Sequence, residues 1–181
     1  MASVGRIFFA IDLDLETRAI LAAQVEDLEV PGKRVPAANW HLTLRYVGDL
    51  DEVRHQRLLA DLDQIDLGEP FRIRFTDLGA FPNPRRATVL WRAVDDPAQR
   101  LGTLVDSIEE TCRSVGLPAE DRPFRPHVTL SRIRPGRDVR SLVGGTDLSA
   151  LEMLVTSVTV FRSHLGGPSA RYEVMDTFDL A

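Results

Sequence analysis

The sequence predicts an α+β fold made of two similar lobes of antiparallel sheet plus helices, related by a pseudo-two-fold, with a central cleft. Predicted strands and helices interleave along the 181 residues, and many strands alternate apolar and polar residues as antiparallel strands do. One short pattern occurs twice, 86 residues apart, which predicts two related halves. No linker or low-complexity stretch divides the chain, so residues 1–181 are expected to form a single bilobal domain.

Seven segments are predicted to be strands because their apolar residues are either continuous or alternate with polar ones. The first is nearly continuous from Ile7 to Ile11 and is expected to be buried, whereas Phe71 to Phe75 alternates strictly. The predicted strands are residues 4–13, 40–47, 71–75, 87–94, 126–133, 153–161 and 170–178.

Three helices are predicted from apolar residues at helical spacing together with residues that favour helix ends. Asp14 is expected to cap a helix that runs to about residue 28, and a second helix is expected over residues 51–65. Asp96 is expected to cap a third, with Pro97 at its first position, which runs to about residue 115. Gly116 suits the end of that helix.

The repeated pattern is His-x-Thr-Leu, found at residues 41–44 and again at residues 127–130, each time inside a predicted strand. From average residue usage it should occur by chance at roughly one position in ten thousand. Side chains at i and i+2 of a strand share a face. The first copy therefore presents His41, Thr43 and Arg45 on one face, with Trp40, Leu42, Leu44 and Tyr46 directed into the core. The second presents His127, Thr129 and Ser131, with Val128 and Leu130 directed inward.

Two imidazoles and two hydroxyls facing one cleft suit phosphoryl chemistry. Histidine has an ordinary pKa near 6.5, so a pair can supply an acid and a base at neutral pH. Threonine hydroxyls can donate hydrogen bonds to the non-bridging oxygens of a phosphoryl group. In-line displacement at phosphorus needs a base on the attacking side and an acid on the leaving side, and two histidines across a phosphate provide both without a metal.

The other candidate side chains lack such a partner. His55 lies on a predicted charged helix and is expected to be solvated, and His164 is expected to be a loop residue beside the Gly-Gly-Pro sequence. The single cysteine, Cys112, excludes an internal disulfide and any multi-cysteine metal site. It lies in an amphipathic helix, where burial or a place on the helix surface is expected rather than catalysis.

Around these motifs the sequence resembles the two-histidine (2H) phosphoesterase superfamily. Within it, the chain is most similar to the RNA 2',3'-cyclic phosphodiesterases, historically called the 2'-5' RNA ligase family. The resemblance covers nearly the whole chain. The segments that carry it are residues 6–13, 40–48, 78–82, 87–91, 124–132 and 158–163, together with Tyr172.

The resemblance implies hydrolysis of a terminal 2',3'-cyclic phosphate to a 2'-phosphomonoester, with His127 as the base and His41 as the acid. The near-symmetry of the two motifs leaves this assignment open when only the residues are considered. In reverse, the same groups would join a cyclic phosphate to a 5' hydroxyl as a 2'-5' link. Thr43 and Thr129 would hold the phosphate.

Five further residues are predicted to bind the substrate or its phosphate. Arg132 follows the second motif as it does in relatives, although strict alternation puts it on the face opposite His127, so its role requires a bulge or a strand end. Arg45 has the right parity in the first strand, although relatives vary at that position. The full set is Arg132, Arg45, Ser131, Phe124 and Arg125.

The formal charge of −5, taken alone, argues against a nucleic-acid partner. However, residues 122–140 contain six arginines and one acid, Asp138. A local positive field of this kind suits a single RNA end. The expected partner is RNA with 2',3'-cyclic phosphate ends, including tRNA fragments or nucleotides.

No cofactor and no metal are expected, and the protein is expected to be a monomer. Apolar residues make up 44% of the chain and charged residues 27%, as in soluble domains. No apolar run approaches the roughly 20 residues of a spanning helix, and the N-terminal apolar stretch is too short for a signal peptide. The chain is therefore expected to be cytoplasmic, with no membrane partner.

Other functions explain the sequence less well. A metal enzyme lacks support because there is no His-x-x-x-His, no cysteine pair and no aspartate cluster near either motif. A non-catalytic RNA-binding module would explain the arginines and Phe124 but not two matched His-x-Thr pairs, and only 7% of residues are aromatic. A phosphodiesterase acting on a cyclic nucleotide or a 2'-5' linked oligonucleotide stays open, because the motifs do not separate these substrates.

Overall fold

A computed structural model describes residues 3–167 and 170–181, and within them nine strands form one antiparallel sheet. In chain order the strands are β1 (Ser3–Asp12), β2 (Lys33–Arg34), β3 (His41–Asp51), β4 (Phe71–Phe81), β5 (Ala87–Asp95), β6 (His127–Arg137), β7 (Leu151–Val155), β8 (Ser157–His164) and β9 (Arg171–Asp179). The helices are α1 (Leu15–Glu26), α2 (Glu52–Leu62), α3 (Arg100–Ser114) and α4 (Arg140–Gly145). The α+β fold class is confirmed.

The order of strands in the sheet has an approximate two-fold symmetry. It reads β7-β4-β5-β6-β3-β1-β8-β9, so β6 and β3 lie at the centre and each is flanked by three further strands on its own side. β4 follows α2 in the chain but pairs with β5, while β8 and β9 come late and complete the side that contains β1. We call β1, β3, β8 and β9 the N-lobe and β4 to β7 the C-lobe.

The two lobes share one core on the face of the sheet that the helices cover. Its fully buried residues come from strands of both lobes and from three helices: Ile7, Phe9, Leu21, Leu42, Leu58, Phe75, Leu101, Ile108 and Val128. Two smaller clusters accompany it. One, in the C-lobe, contains Leu90 and Ile133, and the other packs Phe8 against Phe161 in the N-lobe.

The helix cap predicted at Asp14 is confirmed, and Asp51 provides a further cap, at the start of α2, that was not predicted. The side chain of Asp14 accepts a hydrogen bond from the backbone N–H of Thr17 at 2.6 Å, and Asp51 accepts one from Arg54 at 2.9 Å. The prediction for the third helix was wrong at its start. Asp96 accepts from the N–H of Leu101, and Gln99 adopts a left-handed φ of 54°, so α3 begins at Arg100 rather than Pro97.

Gly116 does end α3, with a φ of 79° that favours glycine. The prediction of one strand over residues 153–161 was also wrong. Thr156 separates β7, which pairs with β4, from β8, which pairs with β1 on the far side of the sheet. The two short elements β2 and α4 were not predicted.

The structure corrects the expectations for two histidines and agrees with that for the cysteine. His55 is 6% exposed on the buried face of α2, and this burial lowers its pKa. His164 is the last residue of β8 rather than a loop residue, and its Nε2 lies 2.7 Å from an oxygen of Glu173. Cys112 is buried, and this burial raises the pKa of its thiol to about 12.

Candidate active site

The two repeated motifs meet at the centre of the sheet, where β3 and β6 run antiparallel. Leu42 pairs with Val128, both are fully buried, and the flanking histidines and threonines therefore project from the opposite face. Side chains directly opposite in such a pair have Cβ atoms about 4.5–5.5 Å apart. The register makes two facing pairs, His41 with Thr129 and His127 with Thr43.

The two imidazole rings are held in the same way. Nδ1 of His41 lies 2.8 Å from the backbone oxygen of Asn39, and Nδ1 of His127 lies 2.6 Å from that of Arg125. A carbonyl oxygen can only accept a hydrogen bond, so each Nδ1 carries a proton and donates it. In each ring Nε2 is consequently the nitrogen available for proton transfer in the cleft.

Aromatic rings of the N-lobe surround His41. The ring centroid of Phe8 lies 4.9 Å from that of His41, and the ring of Tyr172 meets His41 edge-on at 5.0 Å. Phe161 lies behind them at 6.1 Å. These contacts remove water from one side of the imidazole and fix its orientation.

A different aromatic wall supports His127 in the C-lobe. Phe81 meets His127 edge-on at 5.0 Å, and the centroid of Trp91 lies 5.8 Å away. The indole lies against Gly79, where a Cβ would stand only 2.0 Å from a ring carbon. Gly79 thus leaves the space that the indole of Trp91 occupies next to His127.

Burial is the largest influence on both imidazoles and lowers the pKa of each below its ordinary value. The positive charge of Arg132 lowers both further. Asp12 raises the pKa of His41 in opposition to these effects, and it lies directly opposite His41 in the β1–β3 register. The position equivalent to Asp12 beside His127 is occupied by Ala93, on β5.

A cavity of about 220 Å³ opens over the four motif side chains. Among the residues that the structure describes, its lining contains Lys33, Arg34 and Arg132 and no acidic side chain. The amide of Asn39 donates to the backbone oxygen of Ala170 at 2.6 Å, which joins two walls of the cavity. The lining residues are Lys33, Arg34, Val35, Pro36, Asn39, His41, Thr43, His127, Thr129, Arg132, Ala170 and Tyr172.

Arg132 reaches the cleft because β6 contains a bulge. Leu90 pairs with Ser131 and Trp91 with Thr129, so Leu130 has no partner and the alternation of side chains reverses after it. Arg132 therefore lies on the same face as His127. Arg132 lines the cavity, as its predicted phosphate-binding role requires, and the bulge that this role called for is present.

The same irregularity in β3 removes Arg45 from the cleft, contrary to the prediction. Phe9 pairs with Arg45 and Ala10 with Thr43, so Leu44 is bulged. Arg45 and Tyr46 therefore each lie on the face opposite to the one that strict alternation predicts. Arg45 is 8% exposed and forms an ion pair with Glu109 on α3. Tyr46, expected in the core, is instead 41% exposed.

The predictions for the remaining substrate-binding residues also need correction. Ser131 is the counterpart of Arg45 and is fully buried, with its hydroxyl donating to the backbone oxygen of Pro31. Phe124 packs against the main core rather than lining the cavity. The side chain of Arg125 is exposed outside the lining, and its contribution is the carbonyl that orients His127.

Sequence reasoning missed four residues around the cleft: Asp12, Lys33, Asn39 and Tyr172. Asp12 and Lys33 belong to strands that pair with distant segments, as Lys33 does with Arg132, whereas Tyr172 belongs to β9 and Asn39 lies in the turn just before His41. Tyr172 lay in a predicted strand and in the resemblance, but nothing in that strand marked it as a site residue. Asp12 ends the first strand, and only the β1–β3 register places it beside His41.

Arg18 is another unpredicted residue, and it holds the segment before His41 in place. Its guanidinium donates to the carboxylate of Asp12 at 2.8 Å and to the backbone oxygen of Leu13. It also donates to the backbone oxygens of Ala37 and Trp40. α1 is thereby fastened to the turn from which β3 begins.

Comparison with known proteins connects this geometry to a family. The sequence profile of the 2'-5' RNA ligase superfamily matches residues 18–167. The chain belongs to the 2'-5' RNA ligase superfamily.

Two members have closely similar sequences. The chain is 34% identical to an RNA 2',3'-cyclic phosphodiesterase of Aeropyrum pernix over 81% of this chain and 85% of that protein. It is 30% identical to the protein of the same name from Methanothermobacter thermautotrophicus over 97% and 98%. The crystal structure of E. coli LigT complexed with 3'-AMP superimposes with a TM-score of 0.80 at 25% identity, covering 97% of this chain and 98% of that one.

Two features are absent from residues 3–167 and 170–181. No cluster of three or more His, Cys, Asp or Glu side chains there is arranged to hold a metal ion. Over the same ranges, none of the helices combines the length and the apolar character needed to cross a membrane.

Proposed function

We propose that this protein hydrolyses the terminal 2',3'-cyclic phosphate of RNA to a 2'-phosphomonoester by acid–base catalysis between His127 and His41, with reversible 2'-5' ligation. The observation that carries the proposal is the array of two His-x-Thr pairs around the Leu42–Val128 bridge, with each Nδ1 bonded to a carbonyl. Both histidines thereby present Nε2 to one positively charged cavity.

Each histidine carries out one proton transfer in the reaction. Nε2 of His127 accepts a proton from water as the water oxygen forms a bond to phosphorus. The bond between phosphorus and the 3' oxygen breaks, and Nε2 of His41 gives its proton to that oxygen. A well-placed transfer of this kind is worth about 10²–10⁴-fold in rate.

The remaining cavity residues stabilise the charge on phosphorus. Thr43 and Thr129 stand beside the opposite motif's histidine and can donate hydrogen bonds to the two non-bridging oxygens. The guanidinium of Arg132 adds a fixed positive charge within the same lining. Donors held in place before the reaction are worth roughly 3 kcal/mol each in measured cases.

The difference between Asp12 and Ala93 supports the division of roles between the two histidines. A general acid must be protonated before the reaction, and the carboxylate of Asp12 opposite His41 favours the protonated ring. Ala93, opposite His127, offers no such charge, which suits a neutral base. Burial, the largest influence, lowers the pKa of both rings, and the charge of Asp12 distinguishes them in the direction that the proposal needs.

This asymmetry predicts a specific change in the pH dependence of the reaction. The kcat/KM of the wild-type enzyme should form a bell with its maximum below about pH 6.5, because burial lowers the pKa of both histidines. Activity falls at low pH as His127 becomes protonated, and at high pH as His41 loses its proton. Asp12→Asn should lower the pKa of His41 further and move the alkaline limb to lower pH, leaving the acid limb in place.

The measurement is kcat/KM on a 2',3'-cyclic substrate from pH 4.5 to 8.5 for both proteins. Asparagine keeps an oxygen that can accept from Arg18, so the segment before His41 stays anchored. Because the two histidines interact, the apparent pKa values belong to the pair, and the displacement of one limb of the bell is the result that tests the prediction. Movement of the acid limb alone would assign the base role to His41 and reject the proposed order.

The relatives support the same activity and an RNA partner. The proteins from A. pernix and M. thermautotrophicus carry the name RNA 2',3'-cyclic phosphodiesterase, and the E. coli relative was crystallised with 3'-AMP. A terminal nucleotide suits the cavity here because the lining combines the cations of Lys33 and Arg132 with the half-buried ring of Tyr172.

The decisive experiment is product analysis on a short RNA that ends in a 2',3'-cyclic phosphate, with excess chelator present. The expected product is a 2'-phosphate, formed at the same rate with and without chelator. Exclusive formation of a 3'-phosphate, or activity restored only by a specific metal, would reject the proposed chemistry. Hydrolysis of a 2'-5' linked dinucleotide in place of the cyclic end would favour the alternative substrate class.

A further inference from the structure

The two lobes carry different charges beyond the catalytic residues, although their frames are equivalent. After the bulge, β6 presents Arg132 to the cleft, and Arg134, two residues further along, is exposed while Ile133 between them is buried. The equivalent positions of β3 are Tyr46 and Gly48, which carry no charge. The C-lobe alone therefore continues the positive field of the cavity along its central strand.

β2 adds a further cation on the same side. Lys33 pairs with Arg132 across β2 and β6, so both side chains emerge from the same face. Lys33, Arg132 and Arg134 are exposed, and in the part of the chain that the structure describes none of them forms a salt bridge. In the N-lobe, by contrast, Arg6 is paired with Asp49.

The size of the cavity means that a longer substrate must extend beyond it. A volume of about 220 Å³ is below the roughly 300–1,000 Å³ of sites that enclose a drug-sized ligand. The cavity therefore has space for little more than a terminal nucleotide. Arg134 lies two residues beyond Arg132, about 7 Å further along the strand, and is not part of the cavity lining.

Building on the proposed function, we propose that the RNA preceding the terminal phosphate leaves the cleft over the C-lobe, along β6, with its internucleotide phosphates against Arg134 and Lys33. In the described residues, three exposed cations without a salt bridge, Lys33, Arg132 and Arg134, follow this exit, and a polyanionic strand is attracted to them. The neighbouring strands supply an apolar border to the path, with Val89 of β5 opposite Arg132 and Phe81 of β4 opposite Val89.

The test compares two substrates, a 2',3'-cyclic mononucleotide and a tetranucleotide that ends in a 2',3'-cyclic phosphate. Arg134→Gln is expected to lower kcat/KM for the tetranucleotide about two- to fivefold at low salt, the size of one exposed ion pair. The mononucleotide should be hydrolysed at the wild-type rate because Arg134 lies outside the cavity. Arg134→Lys should keep most of the preference for the tetranucleotide.

Salt provides a second readout. One lost phosphate contact should reduce the slope of log(kcat/KM) against log[salt] by about 0.7 for a single strand. Arg171→Gln is the matched control, because Arg171 is also an exposed strand arginine but belongs to β9 at the edge of the N-lobe. It should leave both the substrate preference and the slope unchanged.

The outcomes separate the two proposals. If Arg134→Gln leaves the preference for the tetranucleotide and the salt slope unchanged, the inference is overturned, and a reduced preference in Arg171→Gln would then show that the RNA leaves over the N-lobe. Equal loss on both substrates in Arg134→Gln would make this residue part of the terminal-phosphate site and would also overturn it. Failure of the wild-type protein to hydrolyse either substrate would instead reject the proposed function.

Discussion

His127→Ala and His41→Ala are each expected to lower kcat on a 2',3'-cyclic phosphate by at least about 10²-fold, with the fold retained. Each substitution removes one of the two proton transfers. The other two imidazoles lie outside the cavity lining, His55 on the buried face of α2 and His164 at the end of β8. The measurement is kcat at the pH optimum, with circular dichroism and thermal unfolding to verify folding.

The matched control is His164→Ala, which removes an exposed imidazole that contacts Glu173 away from the cavity. It should leave kcat within about twofold of the wild-type value. Groups that act as one unit are strongly non-additive, so the double variant should be little slower than the slower single variant. Nearly normal turnover in either single variant would end the proposal of a histidine pair.

The inner part of the site could be predicted from the sequence because it depends on local geometry. The period of two along a strand separates His41 and Thr43 from Leu42, whatever the rest of the chain does. The repetition of the motif then indicated that two such strands face one cleft. The structure brings His127 and Thr129 to the same cavity as the first pair.

The outer part of the site could not be predicted, because it depends on how strands pair. Bulges at Leu44 and Leu130 reverse the alternation, so that Arg45 and Ser131 are buried while Arg132 lines the cavity. Pairing with β1 and β5 creates these bulges, and a single sequence contains no local signal for them. Lys33 similarly belongs to a strand of two residues, which is too short to show a period.

One error could have been avoided with the information in the sequence. His55, Leu58 and Leu62 follow each other at spacings of three and four, so they lie on one face of α2. The spacing that places the two leucines on the buried face therefore places His55 there as well. The charged composition of the helix outweighed this periodicity in the prediction.

Arg45→Ala is expected to destabilise the protein by about 3–5 kcal/mol without abolishing catalysis, in contrast to a substitution at the neighbouring Thr43. The guanidinium of Arg45 donates to a carboxylate oxygen of Glu109 and to the backbone oxygens of Tyr46 and Pro118. Its loss leaves a largely buried carboxylate without its cation, which is the costly way to break such a pair. The midpoint temperature of thermal unfolding should fall by about 2–4 °C for each kcal/mol of lost stability in a domain of this size.

A second variant distinguishes a lost ion pair from a lost side-chain volume. Arg45→Met combined with Glu109→Gln removes both charges and keeps an apolar side chain in place of the arginine stem. The glutamine also keeps an oxygen that accepts the hydrogen bond that the backbone N–H of Glu120 donates to Glu109. Removing both partners is far less costly than removing one, so the double variant should recover much of the stability.

The kinetics of Arg45→Ala test the direction in which β3 presents this residue. If Arg45 faces α3, kcat per folded molecule should stay within about twofold of the wild-type value at a temperature where both proteins are folded. If it held the phosphate, as its parity in the sequence first indicated, catalysis would fall and stability would change little. If Arg45 faces α3, stability falls and kcat is kept, whereas if it faces the cleft, kcat falls and stability is kept. The bulge at Leu44 predicts the first result.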